Sequence, residues 1–249
     1  MELSKQSMST STSTLSLYHA TTHAQIVDNH QSSLDSDQSM HNLDNIPQIR
    51  SLPSQVQIHP ITPDTVKSYR GLITLLLPIR YPDKFYKEAV ANTSGSTLAR
   101  VALWDDTLTS STSLSRKLAS SRVVGGIQCR LENVPSGPPG EFQLYIQTIA
   151  LLSPFRQLGI ATCLLDSIIT SIVEHYDRTT NLYAHVWETN FEALEWYERR
   201  GFAVEDDVVE DYYQRLKPSG ARVVRRRIGI EDYLAVKGRR KTTTAQQVI

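Results

Sequence analysis

Leu144-Tyr145-Ile146-Gln147-Thr148-Ile149-Ala150-Leu151-Leu152-Ser153-Pro154-Phe155-Arg156-Gln157-Leu158-Gly159-Ile160-Ala161 is where the chain changes period. Up to Leu152 the residues are apolar, with aromatic and β-branched side chains, and read as a strand. Ser153-Pro154 ends it, because proline cannot donate to a ladder. After Arg156-x-x-Gly159-x-Ala161, the residues Leu164, Leu165, Ile168, Ile169, Ile172, Val173 and Tyr176 fall on one face of a helix. A buried strand therefore runs into a short turn that opens a helix. Gly159 and Ala161 keep the turn bare, so a ligand can reach the backbone. The free N–H groups of a helix start bind phosphate, and this arrangement fits a diphosphate. A kinase-type phosphate loop is excluded, since no Gly-Lys-Ser/Thr follows.

Working outward, 249 residues suffice for one good core. The apolar fraction of 40% is that of an ordinary globular protein. The formal net charge is zero, so no global field draws the chain to nucleic acid or acidic lipid. Two cysteines, Cys129 and Cys163, are too few for a disulfide framework and point to a reducing compartment. Cys163, in the first turn of the phosphate helix, reads as a small hydrophobe rather than a nucleophile. No apolar run is long enough to span a membrane.

Residues 1 to about 45 are rich in Ser, Thr, Gln, Asn and His, without sustained periodicity, and read as a disordered extension. Their acids (Glu2, Asp28, Asp35, Asp37, Asp44) against a single Lys5 fit neither a transit peptide nor a secretory peptide. Gln55 to Ile61 predicts a strand. Thr62-Pro63-Asp64 starts a helix reaching about Leu77, with Val66, Tyr69, Ile73 and Leu76 inward. Leu77-Pro78-Ile79-Arg80-Tyr81-Pro82 breaks it, and Asp83 to Ala91 is a second helix. Strands follow at Leu98 to Trp104 and Arg122 to Leu131, separated by a polar insert over 105–121. Gly125-Gly126 reads as a bulge or a close strand contact. After the central strand and helix come a strand at Asn181 to Trp187, a helix at Asn190 to Arg200, and Gly201 as its left-handed cap. Phe202 to Val209, Tyr212 to Leu216 and Ala221 to Arg227 look like closing strands, and Lys237 to Ile249 a disordered tail. The expected organisation is an extension over 1–50, one α/β domain over 51–230 and a basic tail over 231–249.

The Arg156-x-x-Gly159-x-Ala161 turn resembles the acetyl-CoA signature of the GNAT acetyltransferases. Tyr183-Ala184-His185-Val186 with Asn190-x-x-Ala193-x-x-x-Tyr197-x-x-x-Gly201-Phe202 resembles its second half. The resemblance implies a mixed central sheet with helices on both faces, and acetyl-CoA as the cofactor, with CoA as product and no metal. It places the cofactor on Ile149, Leu151, Arg156, Gln157, Leu158, Gly159, Ile160, Ala161 and Thr162. Asn190 would contact the cofactor and Tyr197 its sulfur. Without the resemblance, Asn190 is a helix N-cap and Tyr197 a core aromatic.

Leu77 to Tyr86, the 144–161 stretch and Asp211-Tyr212-Tyr213-Gln214-Arg215-Leu216 are similar to the NatE, or San-type, Nα-acetyltransferases over about residues 55–230. That likeness implies a peptide groove lined by Leu77, Pro78, Ile79, Tyr81, Gln147, Tyr212, Tyr213 and Leu216. It implies proton handling by Tyr145 and His185, and a substrate beginning with Met and an apolar residue. It further implies peptide or protein N-termini as partners, docking on the auxiliary and catalytic subunits of NatA, and a cytoplasmic location, with a nuclear one as the alternative. Leu77 stands where the family usually has Phe, Gln147 where it has Met, and Ala161 where Gly is common. Ten Lys/Arg against Glu231 and Asp232 between Arg215 and Lys241 offer a contact to ribosomal RNA, or a solvated face.

The residue chemistry agrees with amine acetylation. An α-amine has a pKa near 8, so about a tenth is neutral at pH 7. A histidine can take the remaining proton directly or through a water. A phenol near pKa 10 is a poor base, so Tyr145 reads as the residue that orients that water. Tyr197 is placed to protonate the leaving thiolate, and a backbone N–H near Ile149 to steady the oxyanion. Two alternatives stay open: a GNAT-shaped subunit that mainly stabilises a complex, and a small-molecule amine acetyltransferase. The peptide-groove segments carry few acids beyond Asp83 and Asp211, which disfavours polyamines.

Overall fold

The computed structural model describes residues 52–77, 80–91, 98–106, 121–135 and 137–246, with side chains as far as Gly238. The extension expected over 1–50, and nearly all of the insert expected over 105–121, lie outside the described residues. The elements are β1 (Val56–Pro60), α1 (Val66–Leu76), α2 (Asp83–Ala91), β2 (Ala99–Asp105), β3 (Ser121–Asn133), β4 (Phe142–Leu151), α3 (Ile160–His175), β5 (Thr179–Trp187), α4 (Phe191–Glu198), β6 (Ala203–Val209), β7 (Ala221–Arg227) and α5 (Ile230–Gln246). The strands form one sheet in the order β1-β2-β3-β4-β5-β7-β6. Only β4 and β5 run parallel. This is the mixed sheet that the resemblance implies. β2 and β3 pair on either side of the insert, with Asp105 opposite Ser121.

Helices cover both faces. On one, Leu164, Leu165, Ile168, Ile169 and Ile172 of α3 pack with Leu144, Ile146, Leu182 and Val224 of the sheet, and α4 adds Tyr197. On the other, α1 and α2 bury Tyr69, Leu72, Ile73, Phe85, Tyr86 and Ala89 against Ala99, Val101 and Ala150. A buried polar knot ties this layer to the sheet. The Tyr69 hydroxyl is 3.0 Å from Thr148 Oγ1, and Gln128 Nε2 donates to the Phe85 carbonyl at 2.8 Å.

β4 changes face partway along. Gln128 pairs with Thr148 but Cys129 pairs with Ile146, which leaves Gln147 as a bulge. A one-residue bulge reverses the alternation. Leu144 and Ile146 therefore face α3, whereas Thr148 and Ala150 face α1. Tyr145 and Thr148 end on the same side of the sheet.

Gly125 and Gly126 form a close contact just beside a bulge. The β2–β3 register slips at Val124, and a Cβ on Gly126 would come within 2.7 Å of the Tyr69 ring and 3.1 Å of the Arg100 carbonyl oxygen. Gly126→Ala is expected to cost about 1–3 kcal/mol, the usual range for overpacking. A urea melt that places the variant within 0.3 kcal/mol of the parent, on the order of ordinary surface scatter, contradicts this account.

Two expectations fail. Tyr212 to Leu216 is not a strand. β6 and β7 pair directly, with Val209 opposite Ala221, so these residues form their connection. Asp211 takes a left-handed φ of 54°, and the loop is closed by Tyr213 N–H donating to the Ser219 carbonyl at 2.7 Å. Nor is the stretch after Lys237 structureless: Ile230 to Gln246 is helical. Glu231 and Asp232 sit in its positive first turn. Asp232 accepts from Gly229 N–H at 3.0 Å and is bridged to Arg226. Val236 is buried, which gives the helix an apolar anchor.

Candidate active site

The site begins where β4 and β5 part. They pair from Phe142↔Thr179 to Tyr145↔Tyr183 and no further. Beyond that point β4 continues to Leu151 on β3 alone, and β5 continues to Trp187 on β7 alone. The facing edges of the fork keep backbone groups without a ladder partner, which an extended polar ligand can satisfy.

At the open end stands the turn into α3. Gln157 and Gly159 take positive φ values of 60° and 79°, which glycine adopts without cost. This points the first-turn N–H groups of Ile160, Ala161 and Thr162 away from the helix. A Cβ on Gly159 would meet nothing within 4 Å, so the space above it is open. Ile160 is fully buried and pins the turn to the core. Leu158 and Ala161 pack on the same core at partial burial. Arg156 is half-buried, and Ile149 and Leu151 lie on the β4 arm of the fork. Sequence reasoning missed Arg200. It donates from Nε to Thr162 Oγ1 at 3.0 Å and from Nη1 to the Trp196 carbonyl at 2.7 Å, and lies 4.0 Å over the Trp196 ring. It thereby ties the end of α4 to the phosphate turn.

Across the fork, Asn190 caps α4 by accepting from Ala193 N–H at 3.2 Å, so its helix-start role is real. Its amide NH2 has no partner among the described residues. Tyr197 is buried against Trp196 and Phe202, with ring centroids at 4.9 and 5.0 Å.

Tyr145 and His185 come together at the crotch of the fork. Tyr145 is opposite Tyr183, and His185, two residues on, shares Tyr183's face because strand side chains alternate. The Tyr145 and His185 rings are 5.6 Å apart and nearly perpendicular. Tyr212 closes the cluster: its ring stacks on His185 at 4.2 Å, and its hydroxyl is 2.9 Å from that of Tyr145. Tyr213 lies beneath, buried, donating to the His185 carbonyl at 3.0 Å. Leu216 packs against the Tyr213 and Ala221 cluster. The β6–β7 loop thus brings two expected groove residues, Tyr212 and Tyr213, to the histidine. From the α1–α2 side, Leu77 is buried in the second core, and Tyr81 stacks on Phe85 at 4.1 Å. Gln147 is the half-buried bulge residue. Pro78 and Ile79 lie outside the described residues.

Burial governs the protonation states. It depresses His185 to about 4, although Glu132 and Glu205 act in the opposite sense. The imidazole is therefore neutral at pH 7, and its Nδ1 is buried without a hydrogen-bond partner. Burial raises Tyr145 despite its bond to Tyr212, and raises Tyr197 and Tyr212 as well. All three phenols keep their protons at neutral pH, which suits Tyr145 to orienting a water rather than to acting as the base. Among the described residues no group of His, Cys, Asp and Glu could hold a metal ion, and no helix is long and apolar enough to cross a membrane.

Known proteins share this arrangement. Residues 81–202 match the Acetyltransferase (GNAT) family. The "Probable N-acetyltransferase san" of Drosophila melanogaster is 30% identical over 173 residues, which is 70% of this chain and 81% of that protein. "N-alpha-acetyltransferase 50" of Danio rerio is 27% identical over 175 residues, 70% of this chain and 90% of the other. Arabidopsis thaliana Naa50, solved in complex with the bisubstrate analogue CoA-Ac-MVNAL, superposes with a TM-score of 0.54 at 27% identity, covering 69% of this chain and 98% of its own. With the forked strands, the open turn over Gly159 and the match to san, the chain belongs to the GNAT family of acetyltransferases and is similar to its N-alpha-acetyltransferases of the san and Naa50 type.

Proposed function

We infer that the chain acetylates the α-amine of peptides and proteins that begin with Met followed by an apolar residue. The observation that carries this reading is the position of the Tyr145–His185–Tyr212 cluster at the crotch of the fork, under a loop of aromatic side chains. The analogue held by Arabidopsis Naa50 joins CoA to a peptide starting Met-Val, which supports the same substrate class here. Acetyl-CoA supplies the activated acetyl group.

The chain's own residues do the rest. The N–H groups after Gly159 seat the diphosphate, and the edges of the fork hold the extended arm in line. Tyr212, Leu216 and Tyr81, with buried Tyr213 backing them, offer an apolar, aromatic wall, which accepts a methionine thioether favourably. Neutral His185 takes the amine proton, through a water that the Tyr145 hydroxyl orients. Protonated Tyr197 is the donor for the departing thiolate.

Incubating the purified chain with acetyl-CoA and a Met-Leu peptide is expected to yield N-terminally acetylated peptide. Spermidine and a peptide whose only free amine is on lysine serve as competitors. Faster acetylation of spermidine would reject the peptide reading, and no turnover on any amine would reject catalysis altogether.

A further inference from the structure

Arg130, Glu132 and Tyr183 form a hydrogen-bonded chain beside the active site that the chemistry above leaves unused. Arg130 and Glu132 stand two residues apart on β3 and so share a face. Arg130 Nε donates to Glu132 Oε1 at 2.9 Å, and its terminal nitrogen reaches the same oxygen. The other carboxylate oxygen, Oε2, accepts from the Tyr183 hydroxyl. The Tyr183 ring lies 5.0 Å from Tyr145 and 5.9 Å from His185. Its open side is covered by the Arg225 guanidinium at 5.1 Å. Arg225 is held in turn by Glu205 and by Gln143 Oε1, the latter at 3.2 Å.

The place matters. Tyr145↔Tyr183 is the last pair before the strands separate. Tyr145 belongs to one arm and His185 to the other, and beyond this pair no ladder bond fixes the distance between the arms. A ring packed against both side chains can do so if the ring is itself held. Its hydroxyl is the only polar atom by which that can be done, and a charged acceptor makes the stronger tether.

We propose that Tyr183, tethered through its hydroxyl to Glu132, is a positioning residue that sets the spacing of Tyr145 and His185 at the fork. This rests on the assignment of those two residues to proton handling. Small misplacements at a reacting centre are costly, up to about a hundredfold for 1 Å, so loss of the tether reads out in turnover rather than in binding.

The test is a double-mutant cycle on the full chain. Tyr183→Phe keeps the ring and removes the tether. It is expected to lower kcat about tenfold, with both KM values within about twofold of the parent and with CoA stoichiometry unchanged. Glu132→Ala removes the acceptor and should cost the same, and the double variant no more. Glu132→Gln keeps an acceptor and should recover most of the turnover. NMR signals of the His185 imidazole report its position independently of substrate. They should move in Tyr183→Phe and Glu132→Ala and stay near the parent in Glu132→Gln. Parental kcat in Tyr183→Phe, additive losses, or an unmoved imidazole in that variant would each overturn the proposal. If the parent binds CoA but acetylates no peptide, the functional reading fails, and the imidazole signals alone decide whether Tyr183 positions His185.

Discussion

His185→Ala is expected to lower kcat for a Met-Leu peptide about a hundredfold while leaving acetyl-CoA affinity within about twofold. Removing a positioned acid–base group costs typically 10²–10⁴-fold, and the lower end applies because part of the α-amine is already neutral. The fold should barely notice. The ring's stack on Tyr212 is lost, but so is a buried nitrogen without a partner, which costs roughly 1–3 kcal/mol while it is present. The two changes oppose each other. Turnover within threefold of the parent would remove His185 from the mechanism.

The same residue makes a statement about pH. Its folded value of about 4 lies below the ordinary 6.5, so the folded state takes up its proton later than the unfolded chain. Its contribution to stability is therefore intact above pH 6.5 and is lost as pH falls from 6.5 towards 4. Over the working range the imidazole stays neutral and does not titrate. The acid limb of kcat/KM should then follow the α-amine of the peptide, near pH 8, with no break near 6.5. A break near 6.5 that disappears in His185→Ala would show that the imidazole is less shielded than its burial implies.

Gly159→Val is expected to abolish useful CoA binding, with a loss of affinity of about a hundredfold. Two effects add. A β-branched residue at φ 79° is strained by roughly 1–3 kcal/mol. The side chain would also project into the open space above the turn, where the diphosphate would sit against the N–H groups of Ile160, Ala161 and Thr162. Isothermal titration with CoA measures the affinity and a melting curve separates the strain. Gly159→Ala, which adds less bulk, should fall between parent and valine. Unchanged affinity in Gly159→Val would place the coenzyme elsewhere.

Much of this was legible in the order of residues because it depends on local periods. The switch from apolar strand to helical stripe at Gly159 marks β4 and α3. Asn190 followed by an apolar helix and Gly201 marks α4 and its cap, and the cap indeed has a φ of 79°. Where local signals misled, pairing had overridden them. Tyr212 to Leu216 carries strand-like residues, yet β6 and β7 close on each other and force it into a loop. The basic, threonine-rich end after Lys237 lacks a strong apolar stripe, yet Asp232, Arg226 and Val236 hold its first turns to the body.

The chain order therefore determined the strands that make up the sheet and the phosphate turn, because each depends on neighbours within a few residues, whereas the candidacy of Tyr145 and His185 came from the resemblance to the Nα-acetyltransferases. The tertiary structure alone decided that β4 and β5 part after Tyr145↔Tyr183, that the Gln147 bulge turns Tyr145 onto the α1 side, and that Tyr212 lies over the imidazole while Glu132 reaches Tyr183 from β3. Those facts rest on register and on contacts between residues from 17 to 51 positions apart, and the energy that selects a register comes from burying whole faces together. No short window of sequence contains it.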